Sequence, residues 1–385
     1  MSCKSSTYCP YPFIGASLQN DGIVFPCGQY MNIAPFKKNQ PVEEVRNSLH
    51  MQEMRRQMMN NQTDSGCQCP AEEKAGILSM RQSAINQFGY QPFGPLKVVE
   101  IFFDNVCNLK CRMCSSGQSH LWFDEELELY GKTISPTKYI KNTLYSTFSI
   151  SELEVIKIYG GEPLHTNEAD LFFKRVIDQG KIQNLSIEIS TNGTVLPMPN
   201  VLEAFLKCRS LKLNISIDAY GILNEYIRSG SNWNAIVENM KFFDSLIDKR
   251  ELETFISVHS AVGIYNINEI SKLDSFVSNN FPRFSKMKQM IQYPVFLNVQ
   301  NTPKEYKSII ETFVDESTKK YMYDGTTDFF PHFINFHQGL DKIRNESLKE
   351  ANPLLHNFIA NYKNVVDSKT FFLEQISSIT NYDQS

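Results

Sequence analysis

The sequence predicts a parallel α/β fold. Six apolar segments of strand length alternate with helical stretches over roughly 200 residues, and several of these segments end in glycine or a short polar tip. Hydrophobic residues make up 42% of the 385-residue chain and charged residues 21%, which is typical of a folded globular protein. A chain of this length can bury a core without covalent cross-links.

Charge and hydropathy argue against two broad classes of function. The formal charge is −4, with a pI near 6.0, which argues against non-specific nucleic-acid binding as the main activity, because phosphate neutralisation needs a basic face. No apolar run approaches the roughly 20 residues of a membrane span. The first twenty residues lack the basic start and apolar stretch of a signal peptide. We therefore expect a cytoplasmic protein with neither a membrane nor a nucleic acid as partner.

Cysteine is concentrated in the first third of the chain. Eight of nine cysteines lie within the first 114 residues, and disulfides do not suit a reducing compartment. This clustering indicates metal or redox chemistry. The cysteines form a tight triplet, a looser upstream quartet and two others: Cys107, Cys111 and Cys114; Cys9, Cys27, Cys67 and Cys69; Cys3 and Cys208.

The triplet follows the first predicted strand. The apolar run LKVVEIFFDNV leads into a loop with the spacing C-x3-C-x2-C. Three thiolates are one short of the four that fill a zinc tetrahedron or a four-iron cluster, so one iron of such a cluster would stay open to another ligand. A zinc site that borrows His120 is the alternative. Zinc ribbons favour paired C-x2-C knuckles, and the spacing therefore favours the cluster.

The second predicted strand, Leu153–Tyr159, ends in the turn Gly160-Gly161-Glu162-Pro163. Two glycines permit backbone conformations closed to other residues and let a ligand approach the main chain. Pro163 is expected to open the following helix. The third strand, LSIEISTNG, ends in Thr191 and Asn192.

The fourth strand, LKLNISIDAYG, carries Ser216 and Asp218 near its end, and Arg228 follows ten residues later. Two further strands are predicted in FISVHSAVGIYN and in MIQYPVFLN, at residues 290–298. In a barrel of βα units, the carboxyl ends of the strands are the edge at which sites assemble. The residues after 301 are predicted to be mainly helical.

With these motifs in this order, the chain resembles the radical S-adenosylmethionine (SAM) enzymes. The resemblance implies an open, partial (β/α)6 TIM barrel and a [4Fe-4S] cluster held by Cys107, Cys111 and Cys114, with SAM on the fourth iron. It also implies reductive cleavage of SAM to a 5′-deoxyadenosyl radical, which abstracts a hydrogen atom from substrate. No catalytic side chain is implied beyond the cluster and SAM.

The resemblance extends to the residues expected to bind SAM. The glycine turn is similar to the motif that binds the SAM amino group, and Ser216 and Asp218 to the segment that contacts its ribose and carboxylate. Arg228 matches the arginine that clamps the carboxylate. Met113 stands where many family members have an aromatic residue against the adenine. The expected cofactor-binding residues are Gly160, Gly161, Glu162, Pro163, Asn192, Ser216, Asp218, Arg228 and Met113.

The upstream quartet begins in a predicted hairpin. Two apolar strands, at residues 13–18 and 23–26, are joined by a turn that contains Asp21-Gly22, and Cys9 and Cys27 flank them. Cys67 and Cys69 supply two more thiolates, with Cys3 as a possible substitute for one of them. By number of ligands, zinc and a four-iron cluster fit equally.

The upstream stretch resembles the twitch (half-SPASM) module of some radical SAM enzymes, which implies an auxiliary [4Fe-4S] cluster on Cys9, Cys27, Cys67 and Cys69. The expected domains are a twitch-like module at 1–94, the partial barrel at 95–300 and a helical region at 301–385 that packs on the barrel.

The expected reaction is net oxidation or cross-linking of a peptide or protein side chain, with an electron donor such as flavodoxin or ferredoxin. Dehydrogenation or epimerisation of a sugar or cyclitol is the first alternative, and a non-catalytic metal-binding scaffold is the second. The intact GGEP turn, Ser216, Asp218 and Arg228 argue against a scaffold, which has no use for SAM contacts. The protein would position the cofactor and exclude side reactions.

Overall fold

The computed structural model describes residues 5–74, 78–325 and 329–362. The strands in these residues are β1 Gly15–Leu18, β2 Val24–Phe25, β3 Val98–Phe102, β4 Lys110–Cys111, β5 Val155–Tyr159, β6 Ser186–Thr191, β7 Ser210–Ser216, β8 Arg228–Ser229, β9 Thr254–Val262 and β10 Ser285–Met290. Eight of them form one sheet in the order β10-β9-β7-β6-β5-β3-β1-β2, while β4 and β8 pair separately.

Helices occupy most of the connections. They are α1 Tyr11–Ile14, α2 Val42–Arg46, α3 Leu49–Met59, α4 Cys69–Lys74, α5 Met80–Phe88, α6 Trp122–Tyr130, α7 Asn167–Asp178, α8 Pro199–Lys207, α9 Ile222–Ile227, α10 Trp233–Lys249, α11 Ile270–Asn280, α12 Lys304–Ile310, α13 Glu316–Asp324, α14 Phe330–Arg344, α15 Leu348–Ala351 and α16 Pro353–Asn361. Short 3-10 turns occur at Leu144–Ser146, Ile182–Asn184, Val295–Leu297, Val299–Asn301 and Glu311–Phe313.

The central strands confirm the predicted fold class. From β3 to β10 the six strands of the main sheet are parallel to their neighbours and follow the chain order, and helices connect most of them. The sheet is open, with β2 and β10 as its edges. The mixed α/β architecture and the helices of residues 301–362 thus agree with the prediction, while residues 363–385 of the predicted helical region lie outside the described residues.

The two faces of the sheet differ because neighbouring residues of a strand point to opposite sides. A buried apolar row crosses five strands in register: Ile101, Ile158, Ile189, Leu213 and Ile256. These residues share one hydrophobic core with the buried faces of α7, α8 and α10. The row one position earlier, on the opposite face, is charged: Glu100, Lys157, Glu188 and Lys212. We call this opposite side the polar face.

The predicted N-terminal hairpin is present and joins the main sheet. Strand β1 pairs antiparallel with β2 and parallel with β3, with Gly15 opposite Val98. Sheet pairing therefore crosses the predicted domain boundary at 94/95, and the boundary itself stays a prediction.

The predicted position of the sixth strand is wrong. Strand β10 lies at Ser285–Met290, and its side chains are exposed except for the half-buried Met290. The apolar run that follows instead contains the 3-10 turn Val295–Leu297, and Phe296 packs against Phe336 of α14 at 4.9 Å between ring centroids. An exposed edge strand lacks the apolar pattern that marked the other strands.

No helix in the part of the chain that the structure describes combines the length and apolar character needed to cross a bilayer.

Candidate functional site

The structure brings the three cysteines of the predicted SAM cluster together in the loop after β3. Cys107 and Cys111 are buried around Leu109, and Cys114 is half-buried beside them. Burial raises the pKa of the Cys107 thiol to about 12, and a hydrogen bond links the thiols of Cys111 and Cys114. The thiols are close enough to interact, as ligands of one centre must be.

Arg228 and Asp218 lie directly behind this loop. Strands β4 and β8 pair Cys111 with Arg228, whose Nη1 is 3.8 Å from the Cys111 Sγ. The Nε of Arg228 is 2.8 Å from the Oδ2 of Asp218, a fully buried carboxylate whose Oδ1 accepts a hydrogen bond from the Ala261 N–H at 2.8 Å. A cation beside a thiol favours the thiolate, which is the form that binds metal.

The glycine turn after β5 packs against the main chain that leads to Cys107. Gly160 has φ +135°, a conformation that L side chains rarely adopt, and a Cβ on Gly161 would lie 2.2 Å from the Val106 carbonyl oxygen. The Gly161 N–H donates to the main-chain carbonyl of Asp104 at 3.1 Å, and the Glu162 N–H donates to that of Val106 at 2.9 Å. Both glycines are thus required for the turn to contact the cysteine loop.

Pro163 is buried in this turn, but it does not open a helix as predicted. Helix α7 begins at Asn167, after a turn that Glu162 stabilises by accepting a hydrogen bond from the Leu164 N–H at 3.1 Å.

Glu162 connects the ends of β5 and β6. Its carboxylate accepts hydrogen bonds from the Thr191 hydroxyl at 2.7 Å and from the Asn192 N–H at 2.6 Å. Burial raises the pKa of Glu162 to about 6. Asn192 in turn donates to the Asn108 Oδ1 at 2.9 Å, and its Nδ2 is 3.9 Å from the Cys107 Sγ. Glu162 therefore holds Asn192 against the cysteine loop.

Ser216 lies half-buried at the carboxyl end of β7, two residues before Asp218. Met113 packs on the cluster formed by Cys107, Leu109 and Cys111. It also lines a cavity of about 240 Å³ with Cys114, Trp122, Phe296 and Phe336. The expected contacts of these residues with SAM stay predictions.

Two residues position the loop through hydrogen bonds that the sequence did not predict. His120, the alternative zinc ligand, accepts a hydrogen bond at Nδ1 from the Cys107 N–H at 3.3 Å and stacks on Tyr139. Fully buried Asn105 donates to the carbonyls of Ser116 at 2.8 Å and Lys138 at 3.0 Å. An isolated asparagine or histidine carries no spacing signal, so neither role was predictable.

The upstream cysteines also converge. Cys9, Cys27, Cys67 and Cys69 line one cavity of about 210 Å³. An isolated antiparallel β-bridge between Tyr30 and Cys67 brings the later segment back beside the hairpin region. The Met31 N–H also donates to the main-chain carbonyl of Gly66 at 3.0 Å. Arg81, which is ion-paired with Glu73, lines the same cavity. Cys3 lies outside the described residues.

Burial raises the pKa of both Cys9 and Cys67 to about 12. Across residues 5–74, 78–325 and 329–362, no group of three or more His, Cys, Asp or Glu side chains is arranged to hold a single metal ion. The donor set of four thiols nevertheless fits either a four-iron cluster or tetrahedral zinc.

The polar face carries a larger cavity, of about 680 Å³, lined by Tyr11, Lys157, Tyr159, Glu188, Arg209 and Lys212 among others. Lys157 Nζ is 3.4 Å from Glu100 Oε1, and Lys212 Nζ is 3.1 Å from Glu188 Oε1. The other oxygen of Glu100 accepts from the N–H of Gly28, next to Cys27, at 2.5 Å. Charged and hydroxyl groups therefore line this cavity, as a polar ligand requires.

Comparison with known proteins identifies part of the chain. Residues 101–273 match the model of the radical SAM superfamily. The GTP 3′,8-cyclase of Aquifex aeolicus (strain VF5) is 26% identical over 190 residues, which cover 48% of this chain and 54% of that protein. The GTP 3′,8-cyclase of Aliarcobacter butzleri (strain RM4018) is 32% identical over 114 residues, or 29% of this chain and 31% of that protein. The chain thus spans about half or less of these curated relatives.

Solved structures resemble the chain weakly. Native anSMEcpe with bound AdoMet aligns with a TM-score of 0.37 and 14% identity over 66% of this chain and 68% of its own. Streptococcus suis SuiB bound to S-adenosylmethionine aligns with a TM-score of 0.32 and 14% identity over 82% of this chain and 70% of its own.

The family match contains the three-cysteine loop, the glycine turn, and the residues Asn192, Ser216, Asp218 and Arg228. Residues 101–273 of this chain, which carry the predicted SAM site, are thus similar to the radical SAM superfamily.

Proposed function

We propose that the chain cleaves SAM reductively and abstracts a hydrogen atom from a polar substrate bound on the polar face. The observation that carries this proposal is the convergence of three thiols, the Arg228–Asp218 pair and Asn192 within the region similar to the radical SAM superfamily. When bound, a [4Fe-4S] cluster with SAM supplies the 5′-deoxyadenosyl radical that takes the hydrogen atom, and an auxiliary cluster supplies an electron acceptor.

The residues present fit the SAM-binding cluster. Cys107, Cys111 and Cys114 would ligate it, with Arg228 providing positive charge 3.8 Å from one thiol. Asp218 holds the arginine in place, and apolar packing around Leu109 shields the buried thiols of Cys107 and Cys111 from water. The turn Gly160–Pro163, Asn192, Ser216 and Met113 are proposed to contact SAM.

The upstream cavity is proposed to hold an auxiliary four-iron cluster on Cys9, Cys27, Cys67 and Cys69. Their convergence in one cavity supports this site, and Arg81 supplies a compensating positive charge. Zinc is the alternative occupant, and it would leave the chain without the second electron acceptor.

We propose a peptide or protein side chain as the substrate, with oxidation or cross-linking as the outcome. The cavity on the polar face includes the amino ends of the strands, where Lys212 and Phe255 are exposed. A side chain can enter such a cavity while the rest of its polypeptide stays outside. Flavodoxin or ferredoxin is the proposed electron donor, in a reducing cytoplasmic setting.

A small polar substrate such as a sugar or cyclitol is the second candidate. The observation that favours it is the alternating row of carboxylates and ammonium groups, Glu100 to Lys212, which suits a molecule with many hydroxyl groups. GTP belongs to the same test set because both curated relatives are named for it.

The experiment is anaerobic reconstitution of the full chain with iron and sulfide, followed by dithionite and SAM. We expect 5′-deoxyadenosine, and about eight irons per chain if both sites hold four-iron clusters. An intact cluster that yields no 5′-deoxyadenosine contradicts the proposal and leaves the metal-binding scaffold. Transfer of deuterium from labelled peptides, cyclitols or GTP into 5′-deoxyadenosine then identifies the substrate class.

A further inference from the structure

Arg112, between the second and third cysteines of the loop, is held by the C-terminal region. Its side chain is fully buried, and its Nη2 lies 2.5 Å from Asp341 Oδ1 and 2.6 Å from Glu346 Oε2. The Nε donates to the main-chain carbonyl of Tyr226 at 3.0 Å, and the guanidinium lies 3.7 Å from the centre of the Tyr226 ring. Both carboxylates lie at the end of α14, more than 220 residues away in sequence.

A second set of ion pairs joins the other flank of Cys111 to the same helix. Lys110 Nζ is 2.6 Å from Glu125 Oε1, and buried Arg344 places its Nη2 2.6 Å from Glu125 Oε2. The Arg344 guanidinium lies 4.8 Å from the Trp122 ring, and the Trp122 Nε1–H donates to the Cys111 carbonyl at 2.9 Å. Both residues adjacent to Cys111 are therefore tied, directly or through Glu125, to α14.

The backbone at the end of α14 makes this arrangement possible. Asn345 adopts a left-handed conformation with φ +51°, which ends the helix. The Glu346 N–H then donates back to the main-chain carbonyl of Asp341 at 3.0 Å. Glu346 thereby points to the cysteine loop, where it also accepts a hydrogen bond from the Ser229 hydroxyl of β8.

We propose that Arg112, Asp341 and Glu346 are positioning residues that keep the Cys111 and Cys114 thiols in the geometry required for cluster binding. Three cations, Lys110, Arg112 and Arg344, face three carboxylates, Glu125, Asp341 and Glu346, so the set balances its own charge. Because replacing a buried ion pair by apolar groups is often neutral for stability, the main contribution of these pairs is geometric. The identity of the bound cluster rests on the function proposed above.

The test measures thiol access in the metal-free full chain. We would compare wild type with Glu346→Gln, which keeps the Arg112–Asp341 pair and so preserves folding, and with Arg112→Met and Arg112→Lys. Alkylation by iodoacetamide, followed by mass spectrometry, reports opening of the loop at each cysteine.

The experiment has two controls. Cys9 is the internal control within each variant. Arg283→Met is the control variant, because Arg283 also bridges two carboxylates, Asp244 and Asp248, but lies far from the loop in sequence.

We expect Glu346→Gln and Arg112→Met to be alkylated at Cys111 and Cys114 at least fivefold faster than wild type, with the rate at Cys9 and the behaviour of Arg283→Met unchanged. Arg112→Lys restores part of the protection. After reconstitution, the reduced variants should also show a changed electron paramagnetic resonance signal on addition of SAM.

Unchanged alkylation and an unchanged resonance signal in both Glu346→Gln and Arg112→Met overturn the inference. Equal acceleration at Cys9 overturns it too, because that result indicates general destabilisation. The outcome is separable from the proposed function: faster alkylation in a chain whose wild type yields no 5′-deoxyadenosine supports the positioning role while contradicting SAM cleavage.

Discussion

The two groups of cysteines in this molecule are built in opposite ways. The cysteines of the proposed SAM cluster come from eight consecutive residues, whereas the upstream quartet comes from segments spread between Cys9 and Cys69. The contiguous loop depends for its shape on distant elements: the ends of β5, β6 and β7, and helix α14. The upstream cavity is enclosed mainly by the first 81 residues of the chain. A compact sequence motif thus needs the whole fold to position it, while a dispersed set of ligands can assemble within one region.

Removal of the ligands gives the largest expected difference between the two sites. Triple replacement of Cys107, Cys111 and Cys114 by alanine should abolish 5′-deoxyadenosine formation and lower bound iron from about eight to about four per chain. Replacement of the upstream four by alanine should retain SAM cleavage while stopping substrate oxidation. Metal analysis and product chromatography measure both.

Cys208→Ala serves as the control for these variants, because Cys208 is fully buried and lines neither the cavity of the upstream cysteines nor the cavity that Cys114 lines. If the triple variant binds no iron at all, the upstream site holds zinc or nothing. SAM cleavage that survives in the triple variant contradicts the assignment of the cluster.

Removal of one arginine from each site should have the next largest effect. Arg228→Met leaves the fully buried Asp218 without its ion-pair partner, so we expect a loss of about 3–5 kcal/mol in the free energy of unfolding. Arg81→Met leaves the partly exposed Glu73 unpaired, and we expect a loss of about 1–3 kcal/mol. Urea unfolding of the metal-free chain measures both, and equal losses would remove the predicted distinction.

One glycine near each cysteine group can be replaced by alanine, and the losses of stability caused by the added methyl group can then be compared. In Gly161→Ala the new Cβ would lie 2.2 Å from the Val106 main chain, and in Gly66→Ala it would lie 2.4 Å from the Tyr30 ring. Overpacking costs about 1–3 kcal/mol, and a ring can shift more readily than a backbone. We expect the larger loss of stability in Gly161→Ala.

Metal content then tells which site each glycine supports. Gly161→Ala should reduce iron at the triplet and leave the upstream metal in place, and Gly66→Ala should do the reverse. Gly94→Ala is a control for an added methyl group without a clash, because its nearest neighbour, the Pro92 main-chain oxygen, would lie 3.8 Å from the added Cβ. Loss of metal from both sites in either variant would show that the sites are not independent.

Removal of a single hydroxyl at each site should have the smallest effect. Thr191→Val deletes the hydrogen bond to Glu162, and Tyr30→Phe deletes the 2.7 Å hydrogen bond to Asp64. We expect each variant to lose about 0.5–1.5 kcal/mol, the net contribution of a typical hydrogen bond, and to keep its metal, because Glu162 retains the Asn192 N–H and Asp64 retains the Gly66 N–H as donors. Thermal unfolding with metal analysis measures this, and metal loss at either site means that the hydroxyl contributes to ligand geometry.

The residues that the structure brings together were predictable where the sequence signal is local. The spacing of Cys107, Cys111 and Cys114 and the glycine turn after β5 each occupy a few adjacent residues, and strand-end positions located Asn192 and Asp218. Contacts without a sequence pattern were not predictable: Arg112 meets Glu346 234 positions away. The position of β10 was predicted wrongly, because an exposed strand rich in lysine lacks the alternation that burial imposes.

The edges of the sheet have a consequence for the behaviour of the protein in solution. An open sheet exposes unpaired N–H and C=O groups along its outer strands, which can template pairing with another chain. One outer strand, β2, has only two residues, and the other, β10, carries Lys286 and Lys288 on an exposed surface. Short length and repeated positive charge both oppose edge-to-edge association, so the sheet can remain open at both ends without seeding aggregation.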